Sequence, residues 1–510
     1  MKLSSRPYFG SYVLETLTVG MYGESRNAIR EYIQNAFDSI QKARREKLLR
    51  SDEGLIEVRV AANRNSLSIR DNGIGIWGSK AENVLTSIGA SSKDHRRDAG
   101  FRGIGRLSGI GFSDRVRFTT KVRGEDFQSV VEYDAKLMRN LMSPSSEEAM
   151  LSAEDVLQRC ITVETQPSAN ETDHFFEVYL EGWKDAPIEC IEPLTLQSFI
   201  SQVAPVPFAP EFEQGKTLLA QASEAGMKID HVDITIFDGE ELSVQVTKAY
   251  RDAMLTTKGE AKVKCSPIPR NGSQWWGWIG RKDVFATFEQ DEVAGIRVRV
   301  KNIQIDGKEV FRDIFRLNAK GDGRFQENFA GEIHVQPGFL VPNARRDGFE
   351  EDENLKAFRR ELKAVAKTLV QEARETSELE KFKLNKLEAD VDAKQSELAI
   401  LRRAKFANTD RTQSFAVAVT EIRDLIAQAV NNADVETRAQ LNVLADRCAD
   451  MKLEVAAHMS PPPHDCADEI DTARSELLTE MLIILEQELT PQVFTAARKA
   501  LEKHYEFPLE

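Results

Sequence analysis

No window of this 510-residue chain holds the 18 or more apolar side chains that a membrane-spanning helix requires, and the opening MKLSSRPYFG has no apolar run of the signal-peptide kind. The expectation is a cytoplasmic protein without a membrane partner. Cysteine is scarce: Cys160, Cys190, Cys265, Cys448 and Cys466 lie far apart, with no CxxC pair and no Cys/His cluster at metal-ligand spacing. A disulfide framework and a zinc site are thereby excluded, leaving reduced structural thiols. Internal repeats and long low-complexity tails are also missing.

What remains is an ordinary globular composition, 41% hydrophobic and 29% charged, at a length that predicts about three domains. The net charge of −14 argues against a surface built as a glove for nucleic acid, but it is unevenly spread. Residues 1–130 carry 22 Lys+Arg against 15 Asp+Glu, a balance of +7 that leaves −21 for the remainder. A basic first quarter suits an anionic ligand, although solvated surface charge gives the same count.

Along the chain, Tyr12 to Leu49 reads as helix with few breaks besides Gly20 and Gly23. LIEVRVAANRNSLSIRD then alternates as two strands joined by a polar turn at Ala62 to Asn65. A glycine-rich stretch from Gly73 to Gly111 precedes the strand-like RVRFTTKV, FQSVVEY and FFEVYLEG. This order predicts an α+β sandwich over residues 1–185, an antiparallel sheet covered by helices. A second mixed region, 186–350, offers HVDITIF, GIRVRVKNIQI and GEIHVQPGFLV as strands. Trp275, Trp276 and Trp278 between them either fill a sheet core or stack on a ligand. From 351 to 510 glycine nearly disappears and helical periodicity takes over. Phe358, Leu362, Val365 and Leu369 form one series; Leu384, Leu387, Val391, Leu398 and Leu401 form another, about one residue out of phase. The slip argues for paired or packed helices with a stutter rather than one ideal coiled coil. Ser460-Pro461-Pro462-Pro463 then breaks the helical pattern.

Three local patterns carry chemistry. In Glu31-Tyr32-Ile33-Gln34-Asn35-Ala36-Phe37-Asp38, spacings of four and three put Glu31, Asn35 and Asp38 on one helical face. The Asn35 amide oxygen can ligate Mg²⁺ and Glu31 can take a proton from water, though an exposed face yields the same pattern. In Asp71-Asn72-Gly73-Ile74-Gly75, a carboxylate at a strand end is followed by spaced glycines that let backbone approach a flat ligand bearing an exocyclic amine, such as adenine. A plain Asp-Asn-Gly turn is the alternative. Gly100-Phe101-Arg102-Gly103-Ile104-Gly105-Arg106 reads as a loop entering a helix, with free N–H groups able to cradle phosphate. No G-x-x-x-x-G-K-[ST] occurs, which excludes a P-loop.

Together these residues resemble the GHKL ATPase superfamily with its Bergerat pocket: the N box, the DxGxG box and the glycine-rich lid box in order. MYGES through REYIQNAFDSIQKAR, and TSIGASSK, look like the first helix and lid of the ninety-kilodalton heat-shock chaperones. The resemblance implies ATP and Mg²⁺ as ligands, Glu31 as general base, Asn35 as the metal ligand, Asp38 as support, and Asp71, Gly73 and Gly75 at the adenine. It further implies Asn83 at the ribose or phosphate, Lys93 in the lid, Gly103 and Gly105 at the phosphates, and Thr172 near the adenine. GIRVRVKNIQI and FAGEIHVQPGFLVPNARRDGFE resemble the middle, or transducer, domain, whose N-x-x-R loop is here Asn343, Arg346 and Asp347, with Arg345 as the neighbouring candidate. In that family the arginine reaches the γ-phosphate.

The implied function is an ATP-driven, chaperone-like conformational machine, homodimeric through its C-terminal helices, acting on a protein client. GFRGIGRL is also similar to the lids of MutL and the MORC ATPases, so an ATPase acting on DNA, with anti-phage defence as one setting, is the alternative. A histidine kinase would need its phospho-accepting helix before the N box, whereas the first histidine is His95. A scaffold that binds ATP without hydrolysing it is opposed by Glu31 and Arg346 both being present.

Overall fold

A computed structural model describes residues 9–458 apart from 22–23, 91–92, 95, 97, 101, 144–150, 169, 184–187, 240–241, 271, 344–345, 431–432 and 434, and beyond these only 485, 493–494 and 498. Arg345, Cys466 and the proline run at 461–463 lie outside the described residues. The chain is α+β and forms two compact units, Met1–Phe382 and Lys383–Glu510.

The first unit opens with α1 (Ser11–Glu15), α2 (Ser25–Arg45), β1 (Leu55–Val60), β2 (Ser66–Asp71), α3 (Gly78–Thr86), β3 (Arg115–Lys121), β4 (Phe127–Asp134), α4 (Ala135–Met142), α5 (Ala153–Cys160), β5 (Ile161–Pro167) and β6 (Phe175–Glu181). It continues through α6 (Ile188–Ile191), α7 (Pro193–Val203), α8 (Gln214–Glu224), β7 (Asp233–Asp238) and β8 (Leu242–Val246). All eight strands form one sheet in the order β5-β4-β3-β6-β2-β1-β7-β8, antiparallel except where β7 runs parallel to β1. The expected first domain closed at residue 185, whereas the sheet draws its last two strands from residues 233–246.

Helix α2 is the site's main support. Ala28, Ile29, Tyr32, Ile33, Ala36, Phe37 and Ile40 recur at three- and four-residue spacing and are all buried. They share a core with Ile56, Val58 and Val60 of β1, Leu67 and Ile69 of β2, and Val116 and Phe118 of β3. Lys42, Arg44 and Arg45 in the last turn oppose the helix dipole, and Lys47, at φ 60°, lies just past the helix end. Because side chains alternate along a strand, Leu67, Ile69 and Asp71 share one buried face. The same alternation that packs β2 therefore carries a carboxylate into the core.

The rest of the first unit adds a hairpin of β9 (Ala253–Thr256) and β10 (Gly259–Lys262), then β11 (Lys264–Pro267), β12 (Trp275–Arg281), β13 (Gly295–Val300), β14 (Ile303–Gln304), α9 (Glu309–Arg316), β15 (Ala330–Val335) and the start of α10 (Glu353–Arg403). A second sheet runs β11-β12-β15-β13-β14, with β13 and β15 parallel and buried throughout. Such a strand pair must be covered on both faces. Phe311 and Phe315 of α9 and Phe358, Leu362 and Leu369 of α10 share one core with Trp275, while Tyr250 and Phe212 pack with Trp276 and Trp278 in another. The tryptophans are core residues: Trp278 meets Tyr250 edge-on at 4.9 Å, and Trp275 Nε1 donates to Glu361 at 2.9 Å.

In the second unit Val391, Leu398 and Leu401 of α10 pack with Phe415, Val419 and Ile426 of α11 (Thr409–Val430) and Leu441, Leu444 and Met451 of α12 (Val435–His458). The two out-of-phase leucine series thus serve two different cores, which accounts for the slip. No helix among the described residues is long and apolar enough to cross a membrane.

One side chain pins α2 to the following glycine-rich segment. Tyr32 Oη accepts from Gly109 N–H at 2.8 Å and donates to the Arg106 carbonyl at 3.0 Å. Tyr32→Phe removes both hydrogen bonds from the core, so thermal or urea unfolding should register a loss of about 1–3 kcal/mol; an unchanged midpoint would show that the segment is held by other contacts.

Candidate functional site

Glu31, Asn35 and Asp38 do project from one face of α2, Glu31 and Asp38 buried and Asn35 half-buried. Asn35 and Asp38 share one partner, and Glu31 has another. Asp38 accepts Ala99 N–H at 2.6 Å and Gly100 N–H at 2.9 Å, so it holds the start of the glycine-rich loop. Lys93 Nζ donates both to Asp38 Oδ2 and to Asn35 Oδ1, each at 3.1 Å, and ties the lid segment to the helix. Glu31 Oε1 lies 3.0 Å from Arg346 Nε.

The glycine-rich segment passes close to Glu31. A Cβ on Gly105 would come within 2.4 Å of Glu31 Oε2, and Gly103 takes φ +71°. Both demands suit glycine. Gly105–Gly111 forms a tight 3-10 turn where the sequence suggested a longer helix start. Gly105, Gly109 and Gly111 leave little helix propensity, and Tyr32 and Ser108 satisfy the backbone locally.

Asp71 ends β2 on its buried face and accepts Gly73 N–H at 2.8 Å. Burial pushes its carboxyl up to about 7, against the Gly73 amide and the nearby Ser39 hydroxyl. That hydroxyl oxygen is itself buried without an aligned hydrogen bond. A Cβ on Gly73 would strike it at 2.1 Å, and one on Gly75, at φ +72°, would strike the Lys121 carbonyl at 2.1 Å. A buried carboxylate beside a hydroxyl and bare backbone suits the edge of a flat ligand that donates from an amine.

Two residues absent from the motifs brace this loop. Thr120 Oγ1 accepts Ile76 N–H at 2.8 Å and donates to the Phe175 carbonyl at 3.2 Å. His174 Nδ1 donates to the Gly73 carbonyl at 2.7 Å. Thr120 was legible, since Val116, Phe118 and Thr120 alternate onto one face of β3; His174 had no local signal. Thr172 is exposed in a turn where its hydroxyl donates to Asn170 at 2.6 Å. Thr172 is not brought to Asp71: it lies four residues before Phe176, the residue opposite Asp71 in the sheet register. Asn83 is exposed on α3, where its side-chain oxygen accepts from Ser87 at 2.9 Å.

Arg346 reaches Glu31 from 315 positions along the chain and also donates to the Ala99 carbonyl. Its backbone adopts φ 58°, fixed by its own N–H to Asn343 at 3.2 Å and by Asp306 N–H to its carbonyl at 2.8 Å. Asn343 Nδ2 donates to Asp347 Oδ1 at 2.7 Å, closing the loop. Arg102 joins it to the glycine-rich segment, donating to the Pro342 carbonyl at 3.0 Å and to Glu350 at 2.7 Å. Lys301 also faces this region: burial pushes its ammonium down to about 8, against the charges of Asp38 and Asp98.

Among the described residues no three His, Cys, Asp or Glu side chains gather as a metal site. Magnesium needs none when phosphate and water supply most of its ligands, and the Asn35 amide oxygen is a suitable single protein donor beside Lys93.

Residues 23–159 match the family described as histidine kinase-, DNA gyrase B-, and HSP90-like ATPase. Among curated proteins, the chaperone HtpG of Rickettsia akari is 30% identical over 163 residues, covering 28% of this chain and 26% of the chaperone. HtpG of Methylibium petroleiphilum is 33% identical over 103 residues, 19% of this chain and 15% of that one. HtpG of Nocardia farcinica is 27% identical over 195 residues, 34% and 28% of the two chains. The matches thus span between 15% and 28% of these chaperones' length. With the N-box face, the Asp71 loop and the glycine-rich segment assembled around α2, residues 23–159 are similar to the ATPase domain of the GHKL superfamily, that of HtpG included.

Proposed function

We propose that the protein hydrolyses Mg-ATP at a site completed by a loop from beyond its nucleotide-binding domain, and uses the cycle to drive a chaperone-like change of shape. The observation that carries this reading is the 3.0 Å pairing of Arg346 with Glu31. A cation delivered by residues 342–349 to the N-box carboxylate suits a transferred phosphoryl group, where charge spreads over outer oxygens.

In this reading Asp71 accepts the adenine amine and Gly75 admits the base. Asn35 would hold the magnesium, whose charge would offset that of the phosphates, while the N–H groups around Gly103 and Gly105 would meet phosphate oxygens. Glu31 takes the proton of the attacking water. Arg346 orients Glu31 and stabilises charge as the γ-phosphoryl group leaves. Closure of the Lys93 segment and docking of the arginine loop precede chemistry and limit the rate.

The helices of the second unit leave Ile400, Val417, Leu425, Val443 and Leu453 exposed, which supports a protein partner or a second copy there. DNA as the target remains the competing reading because of the +7 balance in residues 1–130. ATP turnover measured with and without duplex DNA and with an unfolded protein separates them: stimulation by DNA alone favours the MutL-like reading.

Glu31→Ala should retain Mg-ATP and lose at least about 100-fold in turnover. Arg346→Ala should lower kcat roughly 100- to 1,000-fold with little change in nucleotide affinity, because its contact with the transferring phosphoryl group would belong to the transition state. Near-normal turnover by either variant in a phosphate-release assay removes that residue from its role.

Asp71→Asn should abolish nucleotide binding in calorimetry, yet stabilise the nucleotide-free protein. The carboxyl's folded value, about 7, lies above its ordinary value of 3.8, so its contribution is fully present below pH 3.8 and lost as pH rises through 7. The variant should therefore gain on the wild type between pH 4 and 7, by up to about 4 kcal/mol above pH 7. A pH-independent difference in unfolding free energy would contradict the buried-carboxylate account.

A further inference from the structure

A cluster of charged side chains lies fully buried between the first sheet and the second, away from the residues assigned above. Lys248 follows β8, Arg299 is on β13, and Glu332 and His334 are on β15; each is no more than 3% exposed. Lys248 Nζ lies 2.6 Å from Glu332 Oε2, and Arg299 Nε lies 2.5 Å from Glu332 Oε1. Burial alone would raise the Glu332 carboxyl, but Arg299, Lys248 and His334 together hold it well below the usual carboxylate range. Burial also drives His334 down to about 4, so the neutral ring donates its Nε2–H to Glu332 at 3.0 Å.

Well-packed apolar residues would serve stability at least as well as buried ions. What the cluster does specify is the geometry of one turn. Strands β13 and β14 are joined by two residues, Lys301 and Asn302, at φ 53° and 60°. Such a turn favours glycine or asparagine, and a lysine there is strained. Asn302 is fixed on three sides: its Oδ1 accepts from Lys248 at 2.9 Å, its Nδ2 donates to the Asp230 carbonyl at 2.9 Å, and its own carbonyl accepts from Arg299 at 3.0 Å.

The turn leads directly to the arginine loop. Gln304 Nε2 donates to the Asp306 carbonyl at 2.7 Å, and Asp306 N–H donates to the Arg346 carbonyl at 2.8 Å. Asp306 also has positive φ, 53°. A chain of fixed, left-handed residues therefore runs from the buried ions to the main chain that presents the guanidinium to Glu31.

We propose that Asn302, held by Lys248 and Arg299, is a positioning residue for hydrolysis that acts through β14 and Asp306 on Arg346. The proposal rests on the ATPase reading above. Its reach is short, since a misplacement of about 1 Å at a reacting group costs on the order of 100-fold in rate.

The test uses the full chain. Asn302→Gly accepts the positive φ without strain and removes both side-chain hydrogen bonds while leaving the charges paired. It should lower kcat roughly 10- to 100-fold and leave ATP affinity within about 2-fold. The deciding measurement is the double variant: Asn302→Gly with Arg346→Ala should be no slower than Arg346→Ala alone, because the two act as one unit. A merely structural role would multiply the two losses. If Asn302→Gly melts below the assay temperature, Gln304→Met, which cuts the brace on Asp306 and nothing else named here, takes its place with the same expectation. Wild-type kcat in the single variant, or multiplied losses in the double, overturns the proposal while Arg346→Ala still supports the ATPase. A wild-type protein that neither binds nor turns over ATP sinks both.

Discussion

Arg346 and Glu31 are both more than nine-tenths buried, and the geometry around them follows from that fact. A guanidinium and a carboxylate taken out of water are costly unless each is matched, and losing one partner from such a pair costs about 3–5 kcal/mol. Glu31 is therefore confined between the arginine and Gly105, which can carry no side chain there. Arg346 spends a further donor on the Ala99 carbonyl, in the same segment whose N–H is held by Asp38. The ion pair thus couples three pieces of chain, α2, the glycine-rich segment and the 342–349 loop, so that none can shift without exposing an unpaired charge to the core.

Asp71 presents the opposite case. Its carboxyl is buried with few partners, and its raised proton affinity measures the cost. Strand alternation places it there, because Leu67 and Ile69 require the same face. A ligand amine would relieve that cost by supplying the missing donor, so binding draws on free energy the fold has left unsatisfied. Buried polar groups at this site divide accordingly: those matched within the chain fix its geometry, and those left unmatched define what it can hold.

What could be read in the sequence was what leaves a local trace. The helical face of Glu31, Asn35 and Asp38 follows from spacing alone, and the Asp71 turn from its glycines; the alternation of Val116, Phe118 and Thr120 would have added Thr120. The approach of Arg346 was suggested by resemblance, not by any pattern of its own. His174 was missed in favour of Thr172 because the register between β2 and β6 decides which residue arrives, and register is a property of two strands rather than of either. The same reason hid the sheet to which β7 belongs: HVDITIF reads as a strand of the second region, whereas it joins the first sheet in parallel beside β1. The phase slip in α10 was visible, but its cause was not: the first leucine series belongs to a core with Trp275 and the second to a core with Phe415.

The buried cluster around Glu332 shows most clearly why long-range polar matching escapes local reading. Lys248, Arg299 and Glu332 each look like an ordinary solvated charge in sequence, and GIRVRVKNIQI reads as a strand with one polar face. In the fold that strand is covered on both sides, so its arginines must find acceptors inside. Arg299 finds the Gln202 and Ala204 carbonyls and Glu332, and in doing so it ties α7 and the residues after it to the second sheet. Apolar side chains at these positions could pack at many rotations; hydrogen-bonded charges permit few. A joint that must present one guanidinium to one carboxylate gains more from that restriction than from extra stability, and the left-handed turn at Lys301 and Asn302 is where the restriction is passed on.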